Sequence, residues 1–380
     1  MQTDSLKILF LNLPGTYGDD ELILCQVAYG LRKQAKDIAV CCLKGSQLAF
    51  KCKTGKIKVI TLEPKLQSSK LKLTAFLINL IRKEKYNIIH STTNSDRGFA
   101  SAAALATKVR HITSVNNLSP IVESYLDKKL LHGSLNNIIT CSKTVKNILV
   151  SRDGFDASKI AVVPIGLNPD DFSRDVIKRR NVRGLLGFAD DHTVIGNIGK
   201  LAPYKGQTLL IEAFADILPL YPRARVVIVG DGELKAELIR IAERLGVHKQ
   251  VLFAGQREDY SSMYSVFDVY VHTSSNGTKD VFPLTVLKAL AYQLPVIVTD
   301  VGDNAQFVVN EYNGFLLQSR RTDELAEKLK LIVSQYTLQM TMAENSYRHF
   351  LDYFCLELIT FRVTEVYANV LGQFQSGSDS

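Results

Sequence analysis

Thirteen short apolar runs recur along this chain, with helical patterns between most of them, and this alternation constrains the fold more than any other feature. In the first half the runs are Lys7–Leu13, Ile38–Leu43, Lys58–Leu62, Asn87–His90, His111–Val115, Asn137–Thr140 and Ile160–Val163. In the second half they are Thr193–Ile198, Arg225–Val229, Val251–Ala254, Asp268–His272, Val296–Val298 and Asn313–Leu317. A strand that is apolar on both faces belongs inside a sheet, and strand–helix alternation makes that sheet parallel, with helices on either side. A length of 380 residues suits two domains, each with its own core. The expected class is therefore α/β, with two doubly wound domains at residues 1–172 and 185–350. The charged, glycine-containing segment 173–191 reads as the linker between them.

In doubly wound sheets the carboxyl ends of the strands face the ligand crevice, so the loops after the runs hold the candidate site. The loop Gly199-Lys200-Leu201-Ala202-Pro203-Tyr204-Lys205-Gly206 sets two lysines five apart between glycines, ahead of a helix. Glycine lets a backbone come close to a ligand and ammonium groups neutralise charge, a pattern suited to a pyrophosphate. Gly230 closes the Arg225–Val229 run on the same side. Further on, Asp280-Val281-Phe282-Pro283-Leu284 stands ahead of a helix carrying Leu284, Leu287, Lys288 and Ala291. Pro283 fits the first turn, and Pro295 is expected to stop the helix. In the first half, Pro14-Gly15-Thr16-Tyr17-Gly18 opens a helix whose first turn holds Asp19, Asp20 and Glu21. These acids complement the helix dipole and would repel a phosphate, so this turn is no dinucleotide fingerprint.

Charge is uneven. Residues 1–170 carry a net +11 and the remainder −3, within a formal total of +8. One surface facing polyanions is implied. With no nucleic-acid module or interleaved aromatic pattern, anionic lipid head groups or a phosphorylated acceptor fit better than nucleic acid. Lys65–Lys85 is the clearest amphipathic helix, with Leu73, Phe76, Leu77, Leu80 and Ile81 on one stripe and lysines at its flanks. It reads either as a domain-packing helix or as a peripheral membrane contact, and one stripe cannot serve both. No apolar run reaches the ~18 residues of a spanning helix, and the amino-terminal run lacks the form of a signal peptide. The six cysteines show no metal or redox spacing, so reduced thiols are expected in a protein that is cytoplasmic, either free or peripheral at the inner face of the membrane.

The stretch 273–302 resembles the donor-sugar loop of the retaining family-4 glycosyltransferases, which have the GT-B fold of two Rossmann-like domains facing a cleft. The family's Glu-Gly-Phe-Pro is Asp280-Val281-Phe282-Pro283 here, and Lys288 stands where a second Glu holds the nucleotide ribose. The family's Gly-Arg-Leu…Lys-Gly loop is Gly199-Lys200-Leu201…Lys205-Gly206, whose cations grip the donor diphosphate. Residues 141–172 match the approach to the hinge, with Ile165 in place of Asn. The Pro14–Gly18 turn resembles the first loop on the acceptor side, and Asn116 takes a position that is often His. A last helix crossing back to the first domain is implied at Tyr353–Leu371, so that domain would also include 353–372.

The resemblance implies a retaining glycosyltransferase that needs no metal and no cofactor beyond a nucleotide-diphosphate sugar as donor. Lys205 and Asp280 would be catalytic. Gly199, Lys200, Gly230, Val281, Phe282, Pro283, Leu284 and Lys288 would complete the donor site, with Gly15, Tyr17, Gly18, His90 and Asn116 on the acceptor side. The acceptor would be a glycan or a lipid-linked glycan of surface-polysaccharide or glycoconjugate synthesis. Lys288, Val281 and Asn116 each remove a contact used in catalysis, which keeps open a non-catalytic transferase-like binding protein. A sugar-nucleotide epimerase of the same fold would need carboxylates facing the sugar.

Overall fold

The computed structural model describes residues 6–34, 36–67, 69–121, 125–172, 175–257, 260–275, 281–318 and 320–372. Every apolar run is a strand. The first unit, residues 1–168 with 354–380, holds β1 (Lys7–Asn12), β2 (Asp37–Leu43), β3 (Lys58–Leu62), β4 (Ile88–Ser91), β5 (Arg110–Ser114), β6 (Leu135–Thr140) and β7 (Ile160–Val162). They form one parallel sheet in the order β3-β2-β1-β4-β5-β6-β7. The second unit, 169–353, holds β8 (Thr193–Ile198), β9 (Ala224–Val229), β10 (Val251–Gly255), β11 (Val269–His272), β12 (Val296–Thr299) and β13 (Gly314–Leu317). Its parallel order is β10-β9-β8-β11-β12-β13. Both are Rossmann orders, and the direction of winding reverses between β1 and β4 and between β8 and β11. These are the points where such sheets take ligands, beyond the carboxyl ends of the strands.

The period-2 geometry of a strand divides the first sheet's side chains between two cores. Phe10, Val40 and Cys42 pack on one face against helices Asp19–Lys33 and Leu356–Val370. Leu9, Leu11 and Cys41 pack on the other, against the helix Lys70–Glu84. That helix is the amphipathic segment, begun by Ser69 as N-cap. Its Leu73, Leu77 and Ile81 are buried in the core, so the apolar stripe is spent on packing, while Leu71, Lys72, Arg82 and Lys83 face outward. Among the described residues no helix is long and apolar enough to cross a membrane.

The last helix, expected at Tyr353–Leu371, runs over Leu356–Val370, because the extended backbone of Cys355 separates it from the preceding helix Tyr336–Phe354. Leu167 is bonded on both sides of this break, its N–H donating to the Phe354 carbonyl (3.1 Å) and its carbonyl accepting from Leu356 (2.9 Å). The last helix then lies along Asp19–Lys33. Gly30 makes that approach possible, because a Cβ there would stand 2.1 Å from Thr360 Oγ1.

The segment expected as a linker is largely a helix, Val176–Leu185, begun by Asp175, which accepts from the N–H groups of Ile177 (2.8 Å) and Lys178 (3.0 Å). Its charges misled the sequence reading, since two of them point inward. Arg179 and Arg183 both reach Asp268, at 2.5 and 3.2 Å, while Asp268 also accepts from the Val194 N–H at 2.8 Å. The aspartate thus ties this helix to the starts of β8 and β11. Removing one member of such a triad leaves uncompensated buried charge, so Asp268→Ala is expected to destabilise the second unit by about 3–5 kcal/mol. Urea unfolding checks this, and an unchanged midpoint would show that the cations relax into solvent.

Candidate functional site: a glycine-walled loop cluster at the winding reversal of the second sheet

β8, β9 and β11 deliver their carboxyl ends to one place, and glycines let the following loops touch. β8 runs into Gly199, and β9 into Gly230, whose φ of 138° few other residues adopt. A Cβ on Gly230 would sit 2.0 Å from the Gly199 carbonyl oxygen, and one on Gly232 would sit 2.3 Å from that of Leu201. The Gly199 N–H donates to Val229 and that of Leu201 to Asp231, both at 3.0 Å. After the turn Pro203–Lys205, Gly206 (φ 67°) opens the helix Gln207–Ile217 and meets the end of β11, where an added Cβ would be 2.2 Å from the Thr273 carbonyl. Thr273 Oγ1 in turn reaches the carbonyls of Lys205 (3.0 Å) and Gly206 (2.8 Å), and the Ser275 N–H bonds that of Tyr204 (2.8 Å).

The lysine backbone is therefore fixed while its side chain is directed elsewhere. A Cβ on Gly199 would lie 4.0 Å from the Lys205 ammonium, which places that charge over the end of β8. Lys205 is half-buried and Lys200 exposed. Two cations, bare backbone at Gly199 and the start of a helix form a place for a compact anion.

On the β11 side, Val281, Phe282 and Leu284 are buried, with the Phe282 ring edge-on to Phe307 at 4.8 Å. Pro283 caps the helix Leu284–Ala291. The helix ends at Ala291, four residues before Pro295, because Gln293 takes the left-handed conformation and Leu294 bonds back to the Ala289 carbonyl. Lys288, on this helix, is only 4 % exposed. Asp280, expected to be catalytic, lies outside the described residues.

In the first unit the expected acceptor-side residues divide. Gly18 precedes the helix Asp19–Lys33, with its N–H held by Glu21 Oε2 (2.8 Å), and Glu21 also accepts from Asn12 Nδ2 (2.9 Å). Gly15 has open space beyond a contact with Leu43. Tyr17 is half-buried and bonded to Cys25. Asn116, after β5, bonds Asp20. Burial and the neighbouring Glu21 push the Asp20 carboxyl up to about 6, while Arg97 and Asn116 pull it down. Asp20 is the residue that sequence reasoning passed over as a dipole-complementing acid; its signal was a carboxylate in the first turn after β1.

His90 is different, since it is buried and both its ring nitrogens are engaged, by Tyr367 Oη (2.6 Å) and Ser114 Oγ (2.8 Å). This leaves it no nitrogen for a substrate. His111 is held likewise by Ser91 (3.0 Å) and Ser134 (3.1 Å). Burial lowers both imidazoles to about 3. Folded pKa values below the unfolded one give stability that is present above about pH 6.5 and lost as pH falls toward 3. Asp96, pushed up to about 6 by burial, acts with the opposite sign: its contribution is full at acid pH and lost as pH rises through 6. Net stability is therefore a blurred readout, and ring-nitrogen NMR is the direct one. The His90 and His111 signals should not move between about pH 8 and pH 5, and a midpoint above 5 would refute the burial argument.

Two Rossmann units, the second with cations and glycine-bared backbone at its winding reversal, have the architecture of a GT-B protein. The description "Glycosyl transferases group 1" fits residues 178–349, and "Glycosyltransferase Family 4" fits 21–171. The chain belongs to this glycosyltransferase family, and it is an enzyme of that class. Among curated relatives, it is 27 % identical over 308 residues to the UDP-Gal:alpha-D-GlcNAc-diphosphoundecaprenol alpha-1,3-galactosyltransferase of Escherichia coli, covering 78 % of each chain. It is 26 % identical to the alpha-monoglucosyldiacylglycerol synthase of Acholeplasma laidlawii, over 71 % of this chain and 72 % of that one. Among solved structures, Anabaena HepE in complex with UDP and glucose superposes with a TM-score of 0.77 at 22 % identity, over 96 % of this chain and 99 % of that one.

Proposed function

We propose that this glycosyltransferase moves a sugar from a nucleotide-diphosphate donor to a glycan or lipid-linked acceptor, with retention at the anomeric carbon and without a metal. The observation that supports this most is the convergence of Gly199, Lys205, Gly206, Gly230 and Thr273. As the donor bond breaks, charge grows on the leaving diphosphate. Lys205, with Lys200 as a looser second cation, stabilises that charge, and preorganised charge of this kind is among the largest contributions to catalysis. The cations do the work that a divalent ion does elsewhere, so chelation should leave the rate intact. Asp280 and the backbone of residues 281–284 orient the sugar. The leaving phosphate takes the acceptor hydroxyl's proton as the new bond forms on the same face.

The two relatives, a GlcNAc-diphosphoundecaprenol galactosyltransferase and a monoglucosyldiacylglycerol synthase, favour an amphiphilic acceptor. The basic first half then favours a peripheral seat on anionic lipid at the cytoplasmic face. The test is incubation with labelled UDP- and GDP-sugars, with and without chelator, and with undecaprenyl-diphosphate-linked and diacylglycerol acceptors. Transfer or slow donor hydrolysis supports the reading. Absence of any nucleotide affinity would favour a non-catalytic binder instead.

Lys288 bears on donor choice. A cation cannot accept hydrogen bonds from ribose hydroxyls, so the donor is held differently from the family's usual mode. Lys288→Glu is expected to change the ranking of donors by about tenfold or more, on the order of 1.4 kcal/mol. Identical calorimetric affinities for every donor in both forms would remove Lys288 from the site.

A further inference from the structure

The six cysteines have no informative spacing, yet folding brings two of them together. Cys25 lies on the helix Asp19–Lys33 and Cys52 on the helix Gln47–Thr54, with their sulfurs 3.5 Å apart. The two differ in setting: Cys52 is fully buried, whereas Cys25 is only partly buried. Cys25 is in hydrogen-bond contact with the Cys52 thiol and the Tyr17 hydroxyl, with Lys51 near, and these outweigh burial to draw its pKa below the ordinary thiol value. Donation to Cys25 and burial raise that of Cys52. A partly buried sulfur drawn toward the thiolate, backed 3.5 Å away by a fully buried second thiol, is the arrangement of an attacking and a resolving cysteine. Cys42, the nearest further thiol, is buried in β2 and raised by burial.

We propose that Cys25 and Cys52 form a reversible thiol-oxidation site, closing an intramolecular disulfide between the two helices by exchange with a low-molecular-weight disulfide such as glutathione disulfide. The Cys25 thiolate attacks one sulfur of the reagent, forming a mixed disulfide and expelling one glutathione thiolate. Cys52 then attacks the Cys25 sulfur, its proton passes to solvent, and the second glutathione leaves. Two protein thiols are oxidised and one disulfide is reduced to two thiols, so atoms and electrons balance. The site stands independently of the transfer reaction proposed above.

The test treats the full-length protein with glutathione disulfide and maps cysteines by peptide mass spectrometry. Wild type should yield the Cys25–Cys52 cross-linked peptide, removable by dithiothreitol. Cys52→Ser, and Cys52→Ala as a second variant in case the hydroxyl disturbs the core, should stop at glutathione on Cys25. Cys25→Ser should give neither product. Circular dichroism shows whether each variant is folded. The proposal is overturned if folded wild type accumulates glutathione on Cys25 without the cross-link, if the cross-link forms through Cys42, or if Cys25 stays unmodified while other cysteines react.

Discussion

Replacing Lys205 with alanine lowers kcat for sugar transfer by about 10²–10³-fold while leaving the protein folded, the range expected when one preorganised charge opposite a developing anion is removed. The loop survives because its shape does not depend on the Lys205 side chain. It is held by Thr273 on the carbonyls of Lys205 and Gly206, by Ser275 on that of Tyr204, and by Gly206 in its left-handed turn. The half-buried ammonium near Gly199 is screened less by solvent than the exposed Lys200, so Lys200→Ala should cost only about tenfold. Lys205→Arg keeps the charge but changes a compact ammonium into a planar fork, and should recover part of the rate. Steady-state kinetics on both substrates, with calorimetry for the nucleotide alone, separate the outcomes. An equal loss of nucleotide affinity and no change in kcat would make Lys205 a binding group only.

The second large effect comes from Gly230→Ala. The added carbon would fall 2.0 Å from the Gly199 carbonyl oxygen, on backbone with a φ of 138°. Backbone is what it strikes, so no side chain can swing away, and either β9 or the Gly199–Gly206 loop must move. Backbone strain of this type costs about 1–3 kcal/mol before any clash is counted, and a total above about 4 kcal/mol is expected. Loss of donor binding should accompany it, because the Gly199–Leu201 backbone is what shifts. Gly246→Ala is the control: its φ is also positive, at 73°, but no atom lies within 4 Å of the added carbon. Urea unfolding of both variants should show a small loss for Gly246→Ala and a severe one for Gly230→Ala. Equal losses would mean that φ alone, and not the contact with Gly199, makes the glycine necessary.

The division between what was readable early and what was not follows from the range of the interactions. The thirteen strands were legible because burial on both faces of the central ones, such as β4, β11 and β12, forces an apolar run, and the part-exposed edge strands β3 and β10 still carry apolar side chains. The Gly199–Gly206 segment was legible as a glycine-bounded loop ahead of a helix for a similar local reason, as its glycines and lysines lie close in sequence. The helix Val176–Leu185 was not legible: Arg179 and Arg183 look like solvent-facing charges until Asp268, some ninety residues away, is brought beneath them. His90 was placed correctly at a strand end, but the sequence could not show that Tyr367, 277 residues later, would close its ring.

By itself, then, the sequence determined the α/β class, the strands, the glycine-and-lysine loop and the family, because each depends on residues adjacent or periodic along the chain. Tertiary structure alone decided which charges are buried, which histidines are closed off, that Lys205 leans over Gly199, and that two cysteines 27 positions apart come into contact. Those facts depend on distances through space that chain order does not encode, and they are set only once the sheets have wound and the helices have packed upon them.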